Sequence, residues 1–400
     1  MTQTLPAPAD LIRREDALGA HNYKPLDVVI HRAQGAWVWD TQGRRYLDAL
    51  SAYSAVNQGH CHPRIIGALT EQAQQVTLTS RAFRNDRLAD FYETVTRLLG
   101  YEAVIPMNTG AEAVETAIKL ARKWAYRVRG VAPDQAELIV MDGNFHGRTT
   151  TLVSFSTEAQ YRDGFGPFTP GFVPVPYGDV AAIEAAITPR TAGVLFEPIQ
   201  GEAGVITPPD GFLRALRDVC DRHGILMIAD EIQTGLGRTG HWLACDHEQV
   251  KPDLVILGKA LGGGVYPVSA VLSSRELMDL FRPGDHGSTF GGNPLAAAVA
   301  QASLQVLDDE DLPRRAQELG AHLRRRLEDL RSPHVREIRG RGLLIGVDLH
   351  APARPYCEAL RDLGVLCKET HETTMRLAPP LVTTREDLDW AVDQIAQVLR

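Results

Sequence analysis

From about residue 60 to 290, short apolar runs alternate with longer stretches in which apolar residues recur at helical spacing. The runs are Val104-Ile105-Pro106-Met107, Leu138-Ile139-Val140-Met141, Gly193-Val194-Leu195-Phe196, Ile225-Leu226-Met227-Ile228-Ala229 and Leu254-Val255-Ile256-Leu257. A run that is apolar at every position is a strand buried on both faces. Strands that alternate with helices imply βαβ crossovers, so the pattern predicts an α/β fold with a mainly parallel central sheet flanked by helices. Ligands of such sheets gather at the carboxyl ends of the strands. Asp230 stands at one such end, and Lys259 just beyond another.

The character changes on either side of this block. Residues 28 to 48 read as strands with a turn at Gly43, and 335 to 400 as two apolar runs, Val335 to Ile338 and Leu343 to Leu349, followed by helices. Asn293 to Leu330 reads as two helices broken near Pro313, while the clusters from Gly164 to Pro176 and Pro198 to Gly211 read as loops. The predicted division is residues 1–59 as an N-terminal contribution to a small α+β domain, 60–292 as the large domain, and 293–400 as the rest of the small one. Four hundred residues also exceed what one core usually holds.

A net charge of −8 with interspersed signs gives no basic stripe, which argues against nucleic acid and membrane surfaces as partners. No apolar run reaches the roughly twenty residues of a membrane span. Met1 to Glu15 has no apolar core of a secretory leader, so the cytoplasm is expected. Five scattered cysteines read as reduced thiols. The contiguous His60-Cys61-His62 points its side chains apart, and no metal is expected.

Lys259 and Asp230 together have the parts needed to hold pyridoxal phosphate: an amine for the aldehyde and a carboxylate for the ring nitrogen. A carboxylate within about 4 to 6 Å keeps that nitrogen protonated. The plainer readings are a solvated lysine and a strand-end cap. At a period of two, Asp230 and Ile232 fall on one side, the acid toward the ring nitrogen and Ile232 against the ring face. Asn108-Thr109-Gly110-Ala111 opens a strong helix pattern after a strand, and free N–H groups there suit a phosphate. An ordinary N-cap at Thr109 is the alternative.

With these motifs stand Gly19 to Tyr23, Ser51 to His60, Thr79 to Phe83, Asn144 to Thr149, Glu197 to Gly204 and His286 to Pro294. On them the chain resembles the fold type I, class III pyridoxal phosphate aminotransferases, and among these the ornithine δ-aminotransferases, over nearly its whole length. The resemblance implies that Lys259 and Asp230 are catalytic. It implies a cofactor site of Gly110, Ala111, Phe145, Ile232 and Gln233 around them, with Thr289 reaching in from a partner subunit, hence a homodimer or larger homo-oligomer. Thr109-Gly110-Ala111 departs from the commoner Ser-Gly-Ser/Thr turn, leaving position 111 only its backbone.

For substrates the resemblance implies L-ornithine and 2-oxoglutarate, converted in ping-pong order to glutamate 5-semialdehyde, which cyclises to pyrroline-5-carboxylate, and glutamate. Arg148 would take the far-end carboxylate of both, since guanidinium binds carboxylate through two parallel hydrogen bonds. Arg376 would take the α-carboxylate of 2-oxoglutarate, with Glu202 neutralising it while ornithine is bound. Tyr23 would receive ornithine's α-amino group and Tyr53 would shape that end. His146 stands where some relatives carry tryptophan. The rival expectations are N-acetylornithine, 4-aminobutyrate or another ω-amine as donor, and racemisation on the same scaffold.

Overall fold

The computed structural model describes residues 6–400; the leader expectation for residues 1 to 5 lies outside them. Pro8–Leu18 forms a helix with no buried residue. Seven strands build the central sheet, in the spatial order Ala103–Met107, Ser269–Ser273, Leu254–Leu257, Leu226–Asp230, Thr191–Phe196, Glu137–Met141, Phe172–Val175. The last five are mutually parallel.

Two of these strands were not anticipated. Ser269–Ser273 runs antiparallel to both neighbours. After Leu257 the chain turns through the short helix Lys259–Gly262 and two glycines with φ of 56° and 73°, then returns at once. So short a return leaves no room for the crossover that a parallel pairing needs. Phe172–Val175 lies inside a segment read as a loop because of its prolines and glycines. It is an edge strand, where Pro174 removes no ladder hydrogen bond on its open side.

A second sheet joins Ile30–Gln34, Trp37–Asp40 and Arg45–Asp48 to Val365–Leu366, the last pairing parallel with Arg45–Asp48. A third contains Val335–Arg341, Leu344–Leu349, Thr374–Leu377 and Lys368–Thr370 in that order. The expectation of helices after Leu349 is therefore corrected: helices Arg354–Asp362 and Arg385–Val398 flank three short strands. Those strands hold too few residues to show a period. The helices Pro294–Asp309 and Leu312–Asp329 break at Asp311, whose φ is 49°, and Pro313 sits in the first turn of the second, where its missing N–H costs nothing.

One hydrophobic core runs from Leu257 and Leu272 of the central sheet through Leu304 and Leu323 to Val347 and Val392. Among the described residues no helix is long and apolar enough to cross a membrane.

Arg238 pins three distant segments at the edge of this core. Fully buried, it donates to the carbonyls of Leu343 and Pro379 at 2.9 and 2.6 Å, and to Ser51 Oγ and Asn57 Oδ1 at 3.0 and 2.5 Å. Burial pushes its pKa down to about 9, against the opposing field of Asp48. Ser51–Ser54, which it helps hold, has four successive positive φ values between 44° and 71°. Left-handed backbone costs about 1 kcal/mol or more per non-glycine residue, so outside contacts must fix it. Arg238→Met would leave these acceptors buried without a donor, and we expect it to cost roughly 2–5 kcal/mol in urea unfolding.

Candidate active site

Asp230 closes the strand Leu226–Asp230, and the register sets it beside Ile256 on the strand that leads to Lys259. Two hydrogen-bonded neighbours thus bring the carboxylate and the amine to one rim of the sheet. The extended spacing expected for Asp230 and Ile232 is not kept, because the strand ends at Asp230. Instead the Ile232 N–H donates to Asp230 Oδ1 at 3.1 Å, and the Ile232 side chain packs over Gly110. A Cβ on Gly110 would stand 2.9 Å from Ile232 Cδ1. A larger residue here would therefore have to push the Ile232 terminal methyl aside.

The helix Gly110–Arg127 begins with a capping box. Thr109 Oγ1 accepts from Glu112 N, while the Glu112 carboxylate accepts from the N–H groups of Thr109 and Asn108. Thr109 is therefore the cap, as the alternative reading of the turn had it. The box satisfies its own donors and leaves the N–H groups of Gly110 and Ala111 without a partner among the described residues. Gly110 lines a cavity of about 370 Å³ together with Lys259, Asn108 and Tyr266. An anionic group suits such a helix start.

Lys259 has a φ of 43°, a strained conformation for a side-chain-bearing residue. Burial lowers the pKa of its amine, with Glu202 the main opposing charge and Arg376 reinforcing the fall. Arg376, on the strand Thr374–Leu377, is 1% exposed and donates to Glu202 Oε1 at 2.5 Å. Burial would raise the Glu202 pKa, but Arg376 and Lys259 overcome it and hold the carboxyl below its ordinary value. Gln233 Nε2 also donates to Glu202 Oε1, at 3.2 Å. The Arg376 guanidinium lies 4.9 Å from the centre of the Tyr53 ring. Burial raises the Tyr53 hydroxyl pKa, which keeps it a neutral donor.

The remaining expected residues sit farther out. Arg148 is exposed and, among the described residues, makes no ion pair; its guanidinium lies 4.0 Å from the Tyr161 ring centre and 5.4 Å from that of Phe145. Tyr23 is 72% exposed. Thr289 is exposed one residue from Ser288, whose Oγ receives the Asn108 side-chain amide at 2.9 Å.

Two groups escaped the reading of the sequence as parts of the charge system. His146 Nδ1–H donates to Asp230 Oδ2 at 2.6 Å, with both side chains buried and His146 Nε2 unpaired. Burial would lower the imidazole pKa, but the Asp230 carboxylate more than reverses it. Glu197 accepts the Phe145 N–H at 3.0 Å, and burial pushes its carboxyl up to about 8, with His146 opposing and Asp230 adding. A hydrophobic strand, Thr191–Phe196, running straight into an acid was the available signal. These groups fit pyridoxal phosphate: two free N–H groups for its phosphate, Ile232 and Phe145 for its ring, and Asp230, backed by His146, for its nitrogen.

Because Glu197 binds its proton more tightly folded than unfolded, stability falls as pH rises from the ordinary carboxylate range toward about 8, and levels off above. Glu197→Gln keeps an acceptor for Phe145 and should flatten the slope of unfolding free energy across that window, measured in buffers from about pH 5 to 8.

The class-III aminotransferase pattern matches residues 18–399. The chain is 59% identical over 389 residues to the ornithine aminotransferase of Brevibacillus brevis, covering 97% of this chain and 98% of that one. Among solved structures it superposes on an ornithine aminotransferase from Toxoplasma gondii with a TM-score of 0.97 at 45% identity, covering 99% of this chain and 95% of that one. It superposes on an acetylornithine aminotransferase from Elizabethkingia anophelis with a TM-score of 0.91 at 51% identity, covering 98% of each. Site geometry and likeness agree: the chain belongs to the class-III aminotransferases, enzymes dependent on pyridoxal phosphate.

Proposed function

We propose that the enzyme moves the δ-amino group of L-ornithine to 2-oxoglutarate, giving glutamate 5-semialdehyde, which cyclises to pyrroline-5-carboxylate, and glutamate. The observation that carries this reading is the unlike state of two arginines: Arg376 is paired with Glu202 at 2.5 Å, while Arg148 has no carboxylate against it. One site must accept a donor whose reacting end bears only an amine, then a dicarboxylate. With Glu202 on Arg376, the inner cation is neutralised and an amine end meets no repulsion. When 2-oxoglutarate enters, its α-carboxylate competes for Arg376 and Glu202 swings aside. Arg148 receives the outer carboxylate in both halves of the reaction.

When bound, pyridoxal phosphate supplies an aldehyde that takes up the amine and a ring that spreads the electron pair left on carbon. Lys259 Nζ, its pKa lowered by burial, is the group that would take the proton from the substrate carbon and deliver it to the cofactor carbon that had carried the aldehyde. Asp230, with His146 behind it, holds positive charge at the ring nitrogen. Gly110 and Ala111 hold the phosphate by their N–H groups, and Tyr53 and Tyr23 shape the outer end. The reading includes a homodimer in which Thr289 completes the partner's phosphate site; the exposed Phe83 and Phe290 beside that segment support it.

The likeness to an acetylornithine aminotransferase at 51% identity makes N-acetylornithine the rival donor. Steady-state rates with both donors and 2-oxoglutarate decide, with the cyclised product trapped by o-aminobenzaldehyde. The expected outcome is a kcat/KM at least about tenfold higher for L-ornithine, equivalent to about 1.4 kcal/mol in the transition state. A preference for the acetylated donor would overturn the reading. Glu202→Ala should leave Arg376 uncovered, lowering kcat/KM for ornithine by about 10- to 100-fold while changing that for glutamate in the reverse half-reaction far less.

A further inference from the structure

Arg148 is held by aromatic faces. Tyr161 belongs to the four-residue helix Ala159–Arg162, which precedes the glycine- and proline-rich segment read as a loop. Its ring centre is 4.0 Å from the Arg148 guanidinium carbon and 6.0 Å, edge-on, from the Phe145 ring, so Tyr161 and Phe145 form two sides of a box. The short helix is itself tied down. Arg162 donates to the Ser156 carbonyl at 3.2 Å and stacks on Phe168 at 4.3 Å, and Thr169 N–H donates to Ser154 Oγ at 2.8 Å. The backbone that carries Tyr161 is therefore anchored, and the ring itself rests against Phe145 and Arg148.

An exposed arginine has many rotamers, and fixing it costs rotamer entropy when a ligand binds. A carboxylate partner would fix it but would also compete with the substrate's carboxylate, as Glu202 does at Arg376. A π face fixes the cation without competing, since the ring offers no anion that the ligand must displace. We propose that Tyr161 is a positioning residue for Arg148, pre-setting its guanidinium to receive the carboxylate common to donor and acceptor; this rests on the proposed role of Arg148. The ring carries the effect. Burial raises the pKa of the Tyr161 hydroxyl, which therefore stays neutral at working pH and brings no competing charge.

The test compares Tyr161→Leu with Tyr161→Phe in the cofactor-loaded enzyme. Tyr161→Leu should raise KM for both L-ornithine and 2-oxoglutarate roughly tenfold while kcat moves less than about threefold, and Tyr161→Phe should restore both to within about twofold. In an Arg148→Ala background, Tyr161→Leu should add less than about twofold. Unchanged KM values in Tyr161→Leu, failure of Tyr161→Phe to rescue, or a full further loss in the Arg148→Ala background would overturn the proposal. Glutarate provides an arm independent of the donor's identity, its affinity read from the perturbation of the bound cofactor's absorbance. A tenfold weaker glutarate affinity in Tyr161→Leu supports the role of Tyr161 even if ornithine proves not to be the donor. Unchanged glutarate affinity overturns it whatever the donor.

Discussion

A buried guanidinium with no carboxylate against it, Arg238, holds together the parts of the chain that the site is made from. Its acceptors come from the left-handed turn and its flank, Ser51 and Asn57, from Leu343 at the head of a strand, and from Pro379 three residues past Arg376. Neutral oxygens take the four hydrogen bonds of its two terminal nitrogens, while Nε is buried without a partner, so most but not all of the cost of desolvating the cation is offset. Ser51 Oγ donates to the Ala378 carbonyl at 2.6 Å and Asp48 accepts the Ser51 N–H at 2.8 Å, so the first residue of the turn is gripped by both its backbone and its side chain. Tyr53 is thereby set over Arg376.

From that anchor the site's charges divide into two kinds of control. Arg376 is paired with the Glu202 carboxylate, and Arg148 is exposed beside the rings of Tyr161 and Phe145. Behind the cofactor's place, Asp230, His146 and Glu197 share a buried field that pushes the Glu197 carboxyl up to about 8 and raises the imidazole pKa through the Asp230 carboxylate, against its burial. Each group's state is set by its neighbours more than by its own chemistry, so substitutions here should couple rather than add.

Five of the seven strands of the large sheet were legible because burial on both faces writes a continuous apolar run, and Asp230 and Lys259 were legible because each stands at or just past the end of such a run. Thr109 announced its helix for a local reason, a capping box closed within four residues. What was not legible was long-range or aperiodic. Phe172–Val175 is a strand only because Glu137–Met141 lies beside it, and the strands between 365 and 377 are each too short to show a pattern. His146 and Glu197 meet Asp230 through tertiary packing that no spacing encodes. Tyr161 gave no signal, since its meaning lies in which cation stands on its face.

The pairing of Asp230 with Ile256 has one more consequence. The site is defined by which residues are level across neighbouring strands, and the sequence distance between the acid and the lysine does not enter. An insertion or deletion between Arg238 and Leu254, clear of Ile232, Gln233 and Arg238, should leave the chemistry intact, whereas a one-residue slip within either strand would turn its side chains to the opposite face and abolish it. Phase within the strands, rather than the length of chain between them, keeps the acid and the lysine level.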